Sequence, residues 1–329
     1  NSSLQGMVRE LRRRHHDRFS DYFSPQSLAA FNEQIEGRFS GIGLSIVPVK
    51  KGLHVVAVFP RSPAAGAGIV AGDTIVSVEG ESLAGVDSEV AVSKIKGPEG
   101  TQVTVGVLDA KTGRVREETL TREQVTLPNV SSQVKTVDGR KVGYIRMLSF
   151  SEEAHQQLAR AVRKVEAEGA EGIVLDLRGN PGGLLDEAVQ SAALFLPEGE
   201  VVVTTRSRTQ GESVHKTGGG RMSELPLAVL IDGNTASAAE ILTAALEDDG
   251  GATVVGTRSF GKGVFQEEKD LANGGALKLT VGEYFTPTGE NLARTNGIRP
   301  QVRVADNPET RPDEAKQRAL EVLAGRVGG

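Results

Sequence analysis

Ser237 stands in the run Asp232-Gly233-Asn234-Thr235-Ala236-Ser237-Ala238-Ala239-Glu240, where small residues follow an apolar strand pattern and precede a helical one. A serine at a helix N-terminus exposes its hydroxyl beside unpaired amides and the positive end of the helix dipole. These favour the negative charge that develops in acyl transfer. The bland reading of the same run is that Thr235 or Ser237 is only an N-cap, with Glu240 completing a capping box. A second run, Gly256-Thr257-Arg258-Ser259-Phe260-Gly261-Lys262-Gly263-Val264-Phe265-Gln266, holds a lysine between two glycines. Lysines are usually solvated surface charges, but one drawn into a desolvated pocket loses proton affinity and can take a proton from a serine hydroxyl. The third run, Asp176-Leu177-Arg178-Gly179-Asn180-Pro181-Gly182-Gly183, leaves backbone N–H groups free to face an oxyanion, unless it is simply a tight strand-to-helix turn.

Rival chemistries fit less well. The five histidines, His15, His16, His54, His155 and His215, fall in none of these runs and read as surface or helix-face residues; there is no G-x-S-x-G elbow, so a Ser/His/Asp triad lacks a base. Gly256 and Gly261-Lys262 have the spacing of a phosphate-binding loop. Gly263 nevertheless replaces the Ser or Thr that magnesium needs, and Val264-Phe265-Gln266 does not open a helix, so no nucleotide is expected. Ser213-Val214-His215-Lys216, overlapping Lys216-Thr217-Gly218, matches strings of penicillin-binding enzymes but lacks the accompanying S-D-N and reads as a polar loop. Without cysteine there are no disulfides, thiol nucleophiles or thiolate metal sites, and no metal or organic cofactor is implied. A net charge of −5 with interspersed signs offers no basic stripe, which argues against nucleic acid.

These runs need rigid elements to position them. At 329 residues the chain suits a core enzyme domain plus a smaller module. Residues 4–36 have helical apolar spacing interrupted at Ser24-Pro25, giving two helices. From 39 to about 125, β-branched runs broken by glycine (43–49, 54–59, 74–78 and 103–108) predict a compact strand-rich module. Beyond Thr126-Leu127-Pro128-Asn129, strands at 142–147, 172–177, 227–231 and 253–255 alternate with helices at 152–168, 184–196 and 236–247; a strand at 277–281 and a helix at 312–323 follow. The expected fold is α/β: a core with a mixed, partly parallel sheet flanked by helices, an inserted β-rich domain and N-terminal helices. The divisions are 1–38, 39–127 and 128–329. Sites in such sheets form outside the carboxyl ends of the strands, where all three runs lie. The longest apolar stretches are too short to cross a bilayer. The opening Asn1-Ser2-Ser3, without initiator methionine or apolar signal core, points to a processed or trimmed N-terminus.

Taken together, Thr235-Ala236-Ser237-Ala238 and Phe260-Gly261-Lys262-Gly263, with serine and lysine 25 residues apart, resemble the carboxyl-terminal processing (tail-specific) proteases. Asp17 to Tyr22, Phe39 to Gly43, Tyr284 to Gly289 and Gly297 to Pro300 resemble further landmarks of that family; Ala239 departs from it, replacing a common second serine. The resemblance implies Ser237 as nucleophile, Lys262 as base, Gln266 as the group orienting the lysine, and the amides of Gly183 and Ala238 as oxyanion hole. On a flat strand Lys262 and Gln266 would stand about 13 Å apart, so their contact demands a wound or turning backbone.

The strand-rich module resembles a PDZ domain. Its Gly41-Ile42-Gly43-Leu44 has the form of a carboxylate-binding loop, and Ser62-Pro63-Ala64, Ala67-Gly68-Ile69 and Gly72-Asp73-Thr74-Ile75 resemble bacterial versions of the fold. The implied partners are proteins or peptides with accessible apolar C-termini, bound as an added strand and cleaved through an acyl-enzyme. An alternative is a catalytically silent PDZ adaptor on a peptidase scaffold. The terminal helices are candidates for a homo-oligomer contact, and the resemblance implies a bacterial, extracytoplasmic setting in the periplasm or cell envelope.

Overall fold

The structure is a computed structural model that describes residues 2–306 and 313–327. The chain forms two units. One joins Asn1–Glu36 to Asn129–Gly329, and the other is Gly37–Pro128.

The larger unit is built on a six-stranded sheet in the order Val130–Val137, Arg140–Met147, Gly172–Asp176, Leu227–Ile231, Thr253–Gly256, Val302–Arg303. The first pair is antiparallel and every other pair parallel. Strands such as Leu227–Ile231 are apolar at every position because both faces of the sheet are covered. Alternate residues serve the two faces. Ile145, Ile173, Leu175 and Val229 pack with Leu158, Val162 and Leu242 from the helices Ala154–Ala167 and Ala238–Asp248. Tyr144, Val174 and Leu230 pack instead with Ala319 and Leu323 of the helix Glu314–Val327. Pro312, where the spacing predicts that last helix to begin, lies outside the described residues.

A second sheet is antiparallel throughout: Asp21–Phe23, Ala276–Phe285, Val201–Ser207 and Gly211–Lys216 in order, with Val264–Asp270 also paired to Ala276–Phe285. The strand expected at 277–281 therefore belongs to a hairpin rather than to the parallel sheet, since the short turn after Asp270 allows only an antiparallel return. Residues 213–217, read as a polar loop, are mostly an edge strand paired with Val201–Ser207; its solvated face keeps the sequence polar. The N-terminal helices are Ser2–His15 and Pro25–Glu36, with Asp21–Phe23 between them joining the sheet.

The smaller unit is an antiparallel sheet in the order Leu44–Val49, Gly52–Val58, Thr74–Val78, Gln102–Leu108, Val115–Thr121, with Glu81–Ser82 beside Thr74–Val78. Two helices accompany it. Pro63–Gly66 is capped by the Ser62 hydroxyl with proline in its first turn, and Ser88–Ile95 by Asp87, which accepts the Glu89 and Val90 N–H groups. Leu53, Val55, Ile75, Val103 and Val105 form the core.

Candidate active site

Ser237 occupies the turn from Leu227–Ile231 into the helix Ala238–Asp248 at φ 56°, ψ −122°, a conformation that costs a residue with a Cβ on the order of 1–3 kcal/mol. A strained strand-to-helix turn also projects the nucleophile of α/β-hydrolases, and here it is reached without their glycine pattern. Neighbouring contacts hold it. Glu240 Oε2 accepts the Ser237 N–H at 2.9 Å, the Ser237 carbonyl accepts from Glu240 and Ile241 at 2.8 and 2.9 Å, and the Ala236 N–H donates to the Asn180 carbonyl at 3.0 Å. Ser237 is the N-cap of this helix, and the Glu240 carboxylate closes the return half of the capping box on the Ser237 N–H. Thr235 is engaged elsewhere, donating to the Leu177 carbonyl at 2.9 Å. Gly182, at φ +96°, must be glycine, because a Cβ there would come within 2.8 Å of the Ser237 Cβ.

Gly183, Ser237, Ala238, Lys262 and Gln266 all line one cavity of about 630 Å³. The N–H groups of Gly183 and Ala238 have no hydrogen-bond acceptor among the described residues, and Ala238 opens the helix whose positive end meets the cavity. Lys262 is largely withdrawn from solvent. Burial, together with the positive charge of Lys278, lowers its pKa to about 8, partly offset by Glu240. Its ammonium donates to Gln266 Oε1 at 2.8 Å and lies 5.2 Å from the centre of the Phe19 ring. The contact with Gln266 is possible because Lys262 precedes the strand Val264–Asp270, whose register shifts between Phe265 and Gln266. No hydrogen bond joins Lys262 to Ser237 among the described residues; in sites without substrate such contacts are often long and tighten on binding.

Glu240 ties the two loops together. Besides the Ser237 amide, its fully buried carboxylate accepts the Ser259 hydroxyl at 2.6 Å and the N–H groups of Gly261 and Lys262 at 2.7 and 3.0 Å. The sequence marked Glu240 only as a capping residue, and the tie across 19 to 22 positions carries no local signal. At the turn Asp176 to Gly183, buried Asp176 is held by Arg178 and by the Tyr144 hydroxyl, while Arg178 also grips Asp313 through bonds of 2.9 and 2.7 Å. Contrary to the surface placement read from sequence, His215 lines the cavity, from the edge strand. His155 is on a helix, pairing with Glu187 at 2.8 Å.

Lys278 lines the same cavity, with its ammonium 4.7 Å from the centre of the Phe31 ring and 5.7 Å from that of Phe23. Its charge disfavours a second ammonium at Lys262. Lys278→Gln is therefore expected to raise the Lys262 pKa, moving the acidic limb of any Lys262-dependent activity to higher pH. The plateau should be unchanged, and the loss at pH 7 about two- to threefold, as for one screened like charge. Superimposable pH profiles would remove Lys278 from this account.

In the smaller unit, Gly41 ends the strand Arg38–Gly41, and Ile42 and Gly43 follow before Leu44 opens the edge strand. The Ile42 carbonyl accepts from Ala64 at 2.9 Å and the Gly43 carbonyl from Phe59 at 3.0 Å, while the Ile42 and Gly43 N–H groups have no acceptor among the described residues. Gly43 has φ +84°, and a Cβ there would lie 2.2 Å from that of Ser62. Leu44, Ile46 and Val92 are partly buried against the core of this unit.

Residues 141–304 match peptidase family S41, and residues 31–108 match the PDZ domain. A carboxyl-terminal-processing protease of Synechocystis sp. is 35% identical over 319 residues, covering 94% of this chain and 74% of the relative. The carboxy-terminal processing protease CtpA of Bacillus subtilis is 34% identical over 301 residues, covering 92% and 63%. Among solved structures, the photosystem II D1 C-terminal processing protease is 30% identical with a TM-score of 0.56, covering 96% of this chain and 84% of that one. A putative S41 protease from Bacteroides fragilis, 20% identical with a TM-score of 0.56, shares the fold.

Proposed function

The chain belongs to peptidase family S41, the carboxyl-terminal processing serine proteases, and carries a PDZ domain; from that premise we propose that it cleaves peptide bonds by a Ser/Lys mechanism on substrates recognised by their C-terminal tails. The observation that carries this reading is a desolvated lysine sharing one cavity with a strained serine at a helix N-terminus. Neutral Lys262 takes the proton of Ser237 Oγ as the oxygen attacks the scissile carbonyl. The oxyanion accepts hydrogen bonds from the Gly183 and Ala238 amides. Protonated Lys262 then gives its proton to the leaving amine, and the acyl-enzyme is hydrolysed by a water that Lys262 deprotonates in turn. Gln266, accepting from the ammonium, keeps the lysine in the cavity.

Recognition begins at the PDZ unit. The free Ile42 and Gly43 amides suit a terminal carboxylate, the open edge of Leu44–Val49 suits an added strand, and Leu44, Ile46 and Val92 suit an apolar final side chain. No described helix is long and apolar enough to cross a membrane. By kinship with the processing proteases we assign the activity to the cell envelope, outside the cytoplasm. The test is cleavage of an unfolded protein ending in small apolar residues, with fragments read by mass spectrometry. Fragments are expected from the unmodified chain and not from Ser237→Ala; identical fragments from both would exclude Ser237 as nucleophile.

A further inference from the structure

Tyr284 sits in the strand Ala276–Phe285, lines the catalytic cavity and is 2% exposed. Its backbone is locked to the lysine loop: its N–H donates to the Gly263 carbonyl at 3.2 Å, and Asn291 Nδ2 bridges the carbonyls of Gly263 and Tyr284 at 2.8 and 3.1 Å. The hydroxyl, by contrast, closes no hydrogen bond of good geometry among the described residues. A tyrosine used only for packing normally finds a partner for its oxygen, and a buried polar group without one calls for a functional explanation. The polar groups acting on this phenol are the Ser237 side chain and the Glu240 carboxylate.

Ser237 lines the same cavity as Tyr284 and is also the N-cap of the helix Ala238–Asp248. In the capping box the Ser237 oxygen is turned toward the start of the helix, where it would share the Glu240 N–H with the Ser237 carbonyl that already accepts it at 2.8 Å. Tyr284 approaches from the cavity wall that also carries Lys262. We propose that Tyr284 is a positioning residue for the nucleophile, its O–H donating to Ser237 Oγ so that the oxygen leaves the capping rotamer and presents its own proton to Lys262. The inference rests on the Ser/Lys reading above. The proton balance is simple: the serine proton passes to Lys262, and the phenol keeps its own throughout, continuing to donate to the oxygen as negative charge grows on it. Burial and the nearby Glu240 charge, partly offset by the Ser237 hydroxyl, push the Tyr284 pKa well above its ordinary value, which suits a permanent donor.

Tyr284→Phe preserves the ring and removes only the oxygen. Measured on the same unfolded protein substrate, kcat is expected to fall about 10- to 100-fold, the usual worth of one donor at a reacting oxygen, with KM unchanged. The melting temperature should be equal or higher, because a buried unpaired hydroxyl has been deleted. The acidic limb of the pH profile should stay where Lys262 sets it. A kcat like that of the unmodified chain, a loss carried by KM alone, or a loss accompanied by a melting temperature lowered by several degrees would each overturn the proposal. Ser237→Ala, run in parallel, separates the two levels: cleavage that survives it, or no cleavage by the unmodified chain, defeats the Ser/Lys reading, whereas Ser237-dependent cleavage undiminished in Tyr284→Phe defeats only this inference.

Discussion

Lys262→Ala is expected to lower kcat by about 10³-fold or more, and Lys262→Arg by nearly as much, although arginine keeps both the charge and most of the reach. The distinction lies in proton affinity. A guanidinium cannot give up its proton in a protein, whereas Lys262, with its pKa lowered to about 8 by burial and by Lys278, has a neutral fraction of roughly a tenth at pH 7. Only the neutral amine can accept the serine proton, so kcat/KM should rise about tenfold per unit of pH below 8 and level off above it. In the proposed mechanism serine and lysine act as a unit, so the Ser237→Ala, Lys262→Ala double variant should be scarcely worse than either single one. A flat profile from pH 6 to 10, or an active arginine variant, would mean that Lys262 serves as a fixed charge and the base is elsewhere.

The two partners of this unit were legible in the sequence for different reasons. Ser237 was marked by small residues at a strand-to-helix turn, and the structure places it there as the N-cap of Ala238–Asp248, at positive φ. Lys262 was marked by glycines on either side, but its burial comes from Phe19, near the N-terminus, and from Gln266, which a regular strand would have held too far away. A rise per residue read from sequence cannot anticipate that the strand begins only at Val264. The parallel sheet was equally plain, because strands buried on both faces are continuously apolar. Asp21–Phe23 was not, since three residues carry no period and are held by pairing with Ala276–Phe285, more than 250 positions away. That Tyr284, marked only as the start of a family landmark, and Lys278, not marked at all, line the cavity was hidden for a related reason. Their strand is half-buried along most of its length, and which of its residues line the cavity follows from the hairpin's register, not from its composition.

Glu240→Gln changes little in volume and should still cost most of the activity, about 10²-fold or more in kcat. The carboxylate is acceptor-only, and it meets four donors: the N–H groups of Ser237, Gly261 and Lys262 and the Ser259 hydroxyl. Each oxygen takes two. A glutamine can offer one oxygen; its NH₂ would face the Ser237 and Lys262 N–H groups in one orientation, and in the other the Gly261 N–H beside the Ser259 hydroxyl, which can turn to accept. Even in the better orientation the Gly261 N–H is left unsatisfied in a buried site, which should lower stability by about 1–3 kcal/mol. Burial raises the Glu240 pKa while the four hydrogen bonds pull it down. The net shift is upward, burial outweighing the hydrogen bonds, and the catalytic consequence is geometric: the strained Ser237 backbone and the Lys262 loop are anchored to the same two oxygens, so loosening one frees both. Thermal unfolding and kcat should therefore fall together in Glu240→Gln, in contrast to Lys262→Arg, where kcat alone collapses. If Glu240→Gln melted like the unmodified chain and kept its kcat, the serine and lysine loops would have to be positioned independently of each other.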